Sequence, residues 1–394
     1  MTFSGGHRIK LASAILLWAA VFTGAAGLSG CVHGRVNIDA MDPTTEESGR
    51  GVLALRWLIP MHDDMVRAKP QEFASAALDE RFERESRLYV GSQQGTFYAI
   101  SGAHGEVLWK RALASVSSKP LVHNGMIYVG TDDGTLYCVE HLDGKIRWKY
   151  ETRGAILEAP VVVGDLVVFS NESDQVFALD RHKGTFRWQH KVETPDGFTL
   201  RGHGGVAASG DLVFAGFADG RVVALRSASG TVAWVKSISG EAKRFVDVDS
   251  TPVVIDDMVY VTSSSGGLFG LDRETGAQKW RLIIEGAGPV FSDEGRLYVA
   301  AAESGVYAVD LSGNIIWRQG TRGGGEPADF AATEKYLVYA LSGAGLFVAD
   351  KKTGVVFQYF DPGIGFSGAP VVDKGQIYIL SNGGNMYSLD LLDV

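Results

Sequence analysis

The sequence predicts an all-β protein, an eight-bladed β-propeller of four-stranded blades whose last blade is closed by an N-terminal strand. Three features point there. Eight segments share one pattern, two apolar runs around a polar or glycine turn. Six of them are followed by a glycine and, four residues on, a tryptophan. The last repeat stops before its fourth strand, and a matching piece lies upstream of the first.

The repeats begin at Arg87 (RLYVGSQQGTFYAI), Met126 (MIYVGTDDGTLYCV), Leu166 (LVVFSNESDQVFAL) and Leu212 (LVFAGFADGRVVAL). They continue at Met258 (MVYVTSSSGGLFGL), Arg296 (RLYVAAAESGVYAV), Leu337 (LVYALSGAGLFVAD) and Ile377 (IYILSNGGNMYSLD). Continuous runs of β-formers suit strands buried on both faces, and the turn between them makes each pair a hairpin. A further short strand, such as APVVV or TPVVI, stands before most hairpins. Each unit is then four strands in roughly forty residues, the size of a propeller blade.

The fourth strand carries the tryptophan. The pairs are Gly105–Trp109, Gly144–Trp148, Gly184–Trp188, Gly230–Trp234, Gly276–Trp280 and Gly313–Trp317. The glycine reads as a positive-φ turn residue and the tryptophan as an apolar plug for the seam between blades. In the seventh repeat Gln358 stands in the tryptophan's place, between Phe357 and Tyr359. The spare piece upstream is GVLALRW, Gly51 to Trp57, and Trp57 is the seventh structural tryptophan. Pairing it beside the last hairpin completes the last blade and closes the ring. The propeller is therefore expected to span residues 51–394 as one domain.

Ahead of it, residues 1–30 read as a signal peptide. Arg8 and Lys10 precede the apolar run Leu11–Ala26, and LSGC closes it at Cys31. This resembles a bacterial lipoprotein signal, with Cys31 as the lipid anchor. A transmembrane anchor fits less well, because the run is short and no stop-transfer charges follow. In such proteins Asp after the cysteine retains the molecule at the inner membrane. Val32 stands here, so the expected address is the periplasmic face of the outer membrane. Residues 31–50 are polar and aperiodic and read as a flexible tether.

The formal charge is −9, and loss of Arg8 and Lys10 with the signal takes it to −11. An acidic chain without a basic cluster is not built for nucleic acid. Cys31 and Cys138 are the only cysteines, so no disulfide framework is available. Cys138 in LYCVE occupies the slot that is Ala in FALD and YAVD, which reads as a buried structural thiol. The nine His show no zinc spacing, so no metal site is expected. GIGFSG, Gly363 to Gly368, matches G-x-G-x-x-G by letters but precedes a short strand instead of opening a helix. The pairs Asp132–Asp133 and Asp256–Asp257 fall in hairpin turns and read as solvated turn residues.

The tryptophan intervals are 39, 40, 46, 46 and 37 residues, so two consecutive units are longer. The extra residues lie after Trp188 in ETPDGFTLRGHGG and after Trp234 in SGEAKRFVDVDS, loops 193–203 and 240–249. Both connect the fourth strand of one blade to the first of the next, so they emerge side by side on one face. Phe198, Leu200 and Arg201 on one loop, with Asp247 and Asp249 on the other, form a candidate docking patch. The same residues could equally plug the core and pair internally.

ALDRHKGTFRW, Ala178 to Trp188, resembles the tryptophan-docking motif of pyrroloquinoline quinone (PQQ) propellers. The alcohol dehydrogenases of that group hold the quinone with adjacent cysteines and a calcium site, and no adjacent cysteine pair occurs here. The lipoprotein signal, the eight repeats, the LRG loop and DVDSTPVV together resemble the BamB family of outer-membrane protein assembly factors, over essentially the whole mature chain. The resemblance implies a non-catalytic scaffold without cofactor that helps nascent outer-membrane β-barrel proteins fold and insert. It also implies that the LRG and Asp-x-Asp loops contact the periplasmic POTRA domains of BamA in the Bam complex. Carried over by motif, the contact residues are Phe198, where the family has an aliphatic residue, Leu200, Arg201, Asp247 and Asp249. The competing readings are a periplasmic PQQ-dependent oxidoreductase and a general ligand-binding propeller.

Overall fold

The computed structural model describes residues 52–62, 71–79, 81, 86–192, 204–239, 248, 250–302, 304–320, 325 and 327–392. Among them every regular element is a strand, and the strands form eight antiparallel four-stranded sheets. The first sheet is Ala77–Asp79, Arg87–Gly91, Thr96–Ser101 and Val107–Ala112, hydrogen-bonded in chain order. Six more follow the same rule. The eighth adds Leu53–Pro60 to the outside of Val371–Asp373, Gln376–Leu380 and Asn385–Leu391. Its register runs from Leu53 opposite Leu391 to Pro60 opposite Asn385. The fold is an eight-bladed β-propeller closed by a strand from the far end of the chain.

Burial follows position within the blade. A middle strand such as Tyr336–Leu341 is buried at every residue, because a neighbouring blade covers each face. The outer strand Val107–Ala112 keeps only alternate residues half-buried at the rim. The core is correspondingly divided into eight apolar clusters among the described residues, one in each seam. Val176, Ala178 and Trp188 of the third blade, for example, pack on Val213, Ala215, Val223 and Leu225 of the fourth.

The tryptophans span these seams. The indole N–H groups of Trp57, Trp109, Trp148, Trp188, Trp234, Trp280 and Trp317 donate at 2.7 to 3.2 Å to carbonyls of the following blade. The acceptors are Gly102, His141, Arg181, Ser227, Arg273, Leu311 and Lys351 in turn. Four of these carbonyls also receive a buried tyrosine hydroxyl, from Tyr89, Tyr128, Tyr260 and Tyr298. The indole thus buries its ring and satisfies its one donor together.

The Gly-x-x-x-Trp pair is not a local partnership. Each glycine receives the tryptophan of the preceding blade. A Cβ on Gly184, at φ 69°, would stand 2.5 Å from the Trp148 ring, and one on Gly144, at φ 70°, 2.7 Å from Trp109. The glycine therefore answers two demands, a left-handed turn and a close-packed indole.

Each tryptophan also faces a small residue across its own blade. Ala99, Cys138, Ala178, Ala224, Gly270, Ala308 and Ser388 lie opposite Trp109, Trp148, Trp188, Trp234, Trp280, Trp317 and Trp57. Cys138 is buried and free, and burial pushes its thiol up to about 12. In the seventh blade the opposing residue is the larger Val348, and its partner is Gln358. The Gln358 amide oxygen accepts from the backbone N–H of Val52 at 2.6 Å and of Leu53 at 2.9 Å. It pins the start of the closing strand at the point where other blades use an indole.

Candidate functional site: the roots of two adjacent loops

Strand direction alternates within each blade, so all connectors from an outer strand to the next inner strand lie on one face. Two neighbouring connectors on that face carry the sequence insertions. Phe198, Leu200, Arg201, Asp247 and Asp249 lie outside the described residues. The described part is where the loops rejoin the propeller, at Gly204–Gly205, Val248 and Ser250.

Val248 is fully buried. Its N–H donates to the Phe217 carbonyl at 3.3 Å, and its side chain fills the space that Gly216 leaves open. Two shorter connectors use the same device. Val116 donates to Ser92 beside Gly91, and Ile156 to Thr131 beside Gly130, each bond being 3.1 Å. Proline follows four residues after each of the three plugs, at Pro120, Pro160 and Pro252. The second loop is thus an insertion ahead of an ordinary blade entry.

The first loop rejoins differently. Gly205 stands immediately before the strand Val206–Ser209, where other blades carry proline. Proline has no N–H, whereas the Gly205 N–H donates to the Thr251 hydroxyl at 3.0 Å. The preceding Gly204 N–H donates to the Val248 carbonyl at 3.1 Å. A Cβ on Gly204 would lie 2.4 Å from the Ser250 carbonyl oxygen, and one on Gly205 2.4 Å from the Thr251 hydroxyl. The Ser250 hydroxyl accepts from the Thr262 N–H at 2.9 Å, which fixes the far side. The glycine run after Arg201 is therefore what lets the two loop roots touch.

Among the described residues no three His, Cys, Asp or Glu side chains gather closely enough to hold a metal. Asp133 caps its own turn, accepting from the Thr131 hydroxyl and the Thr135 N–H; these contacts hold its carboxyl below its ordinary value against the effect of burial. Asp132 reaches across a seam and accepts from Gln93, in a hairpin turn of the first blade, and from Ser117 on the connection between the two blades. It is an inter-blade tie, where the sequence suggested only a solvated turn.

A family model described as outer membrane protein assembly factor BamB matches residues 75–137, 122–313 and 302–393. The chain belongs to the BamB family. The BamB of Vibrio cholerae is 31% identical over 300 residues, covering 74% of this chain and 75% of that one. The solved BamB of Moraxella catarrhalis superposes with a TM-score of 0.70 at 20% identity, covering 86% of this chain and all of that one. A europium-containing methanol dehydrogenase superposes at TM-score 0.69 with 15% identity, over 86% of this chain and 93% of that one, a likeness of fold alone. Within this BamB-family chain, the features that sequence inspection did not find are Gln358 as a strand clamp and the Gly204–Val248 bond. Both had a signal in the repeat: a bulkier Val opposite the Gln, and Gly where proline recurs.

Proposed function

We propose that this chain is a non-catalytic scaffold of the Bam complex that assists folding and insertion of outer-membrane β-barrel proteins. Membership of the BamB family supports that role. In this reading Cys31 carries lipid and holds the propeller at the periplasmic face of the outer membrane, with residues 31–50 as its tether. Loops 193–203 and 240–249 then dock the POTRA domains of BamA through Phe198, Leu200, Arg201, Asp247 and Asp249. The observation that supports the site is the bond from Gly204 to Val248, which holds the roots of the two insertions together. Arg is among the residue types that interface hot spots favour.

Client strands would be received at the rim. Outer strands end their sheets there and expose apolar residues, among them Leu108, Phe186, Val235 and Ile316. A free sheet edge with apolar side chains accepts an extended segment by strand addition.

Co-purification with BamA tests the role. Wild type should retain BamA through washing, and Arg201→Ala and Asp247→Ala should lose most of it. Retention in both variants contradicts the docking residues, and failure of wild type to retain BamA contradicts the role itself.

A further inference from the structure

The propeller axis holds a cavity of about 220 Å³ on the same side as the two loop roots, where inner strands are entered from their connectors. Two carboxylates line it, Glu158 before the third blade and Asp329 on the first strand of the seventh. Both are half-buried where they line it. Asp329 accepts the Phe330 N–H at 2.8 Å. Among the described residues neither carboxylate makes an ion pair. Lys119 also lines the cavity, and although its charge is felt by both acids it stays exposed and more than salt-bridge distance away. Two half-buried carboxylates without a paired cation repel each other, and a positively charged guest relieves that repulsion.

The rest of the wall says which guest. Ser75, Ser117, Thr251 and Ser367 offer hydroxyls, while Phe73 and Leu157 offer apolar surface. A calcium ion wants six to eight oxygens at about 2.3 to 2.6 Å, and no metal-holding group of three occurs among the described residues. An ammonium needs fewer acceptors, and its carbon stem is served by the apolar wall. The volume falls below the range of about 300 to 1,000 Å³ typical of drug-sized ligands, so the guest is small. We propose that the axial cavity is a binding site for a small organic cation bearing a primary ammonium group, held between Glu158 and Asp329.

The site is tied to the loop face. Thr251, whose hydroxyl receives the Gly205 N–H, lines the cavity beside Glu158. Burial first and the Asp329 charge second raise the Glu158 carboxyl to about 7, against the pull of Thr251 and Lys119. An arriving ammonium must displace that proton, so binding releases it and strengthens as pH rises.

Calorimetric titration of the full chain in detergent with 1,4-diaminobutane tests the proposal, with calcium chloride as a separate arm. The expected result is one saturable site per chain, about tenfold tighter at pH 8 than at pH 6, as ionisation of one group near 7 requires. Glu158→Gln, nearly isosteric, should weaken binding at pH 8 at least tenfold and reduce the pH dependence. Lys119→Met should tighten it by removing a competing charge. Thermal melts of each variant establish folding, and Asp329→Asn replaces Glu158→Gln if that variant does not fold. No saturable binding, equal affinity in the carboxylate variant, or binding of calcium but not the diamine would overturn the assignment. The outcome is independent of BamA docking, which is read by co-purification.

Discussion

Gly204 donates its backbone N–H to the Val248 carbonyl at 3.1 Å, and this one bond joins the root of the LRG loop to the middle of the Asp-Val-Asp segment. Neither residue carries chemistry. Together they hold the roots of two insertions, from successive blades, against each other. Because a Cβ on Gly204 would press on the Ser250 carbonyl, Gly204→Ala must push the roots apart. Overpacking of this kind costs about 1 to 3 kcal/mol. Chemical denaturation should show that loss, and BamA capture should fall although no proposed contact residue has changed.

A second prediction concerns the inter-blade glycines. Gly164 and Gly184 both have positive φ, 56° and 69°, but only Gly184 faces an indole. Gly164→Ala meets nothing within 4 Å and should cost about 1 kcal/mol for the left-handed conformation alone. Gly184→Ala should cost clearly more, since Trp148 must also move. Equal losses in urea melts would show that the turn conformation, not the seam, requires glycine.

The third concerns ring closure. Gln358→Ala leaves the Val52 and Leu53 N–H groups without their acceptor and should destabilise the propeller by about 1 to 3 kcal/mol. Gln358→Trp restores the repeat but meets Val348 across the blade. Adding Val348→Ala should rescue it, with a coupling of about 0.5 to 3 kcal/mol in a double-mutant cycle. Additive effects would show that the two positions do not act as a pair.

Much of the fold can be read from residue type and spacing, because a propeller repeats one local solution eight times. Apolar runs broken by a turn specify the hairpins, and the orphan strand ending at Trp57 specifies closure. The partner of each glycine is not readable that way. Gly184 and Trp188 are neighbours in sequence, yet Gly184 packs on Trp148, and only the ring reveals it. For the site, interval counting finds the two loops but not their contact. Its second bond, to the Thr251 hydroxyl, depends on Gly205 having an N–H where Pro120, Pro160 and Pro252 have none. Glu158 and Asp329 lie 171 positions apart in the chain and meet only across the axis, so no spacing rule could pair them.

The fourth prediction is a pH dependence of stability. Glu158 is raised from 4.5 to about 7 in the folded chain. The sign follows: its contribution is fully present below about 4.5 and is lost as pH rises through 7. The melting temperature of wild type should therefore fall between pH 5 and pH 8 by more than that of Glu158→Gln. Parallel curves would show that this carboxyl titrates normally.

The central claim is that the paired loops dock BamA. The most direct test is the equilibrium affinity of the mature chain for the isolated periplasmic domain of BamA, measured for wild type, Arg201→Ala and Asp247→Ala. If the loops form the contact, Arg201→Ala should lose about 2 kcal/mol or more, roughly thirtyfold in Kd, with Asp247→Ala weakened in the same sense. Wild-type affinity in both variants, with melts unchanged, would contradict the account.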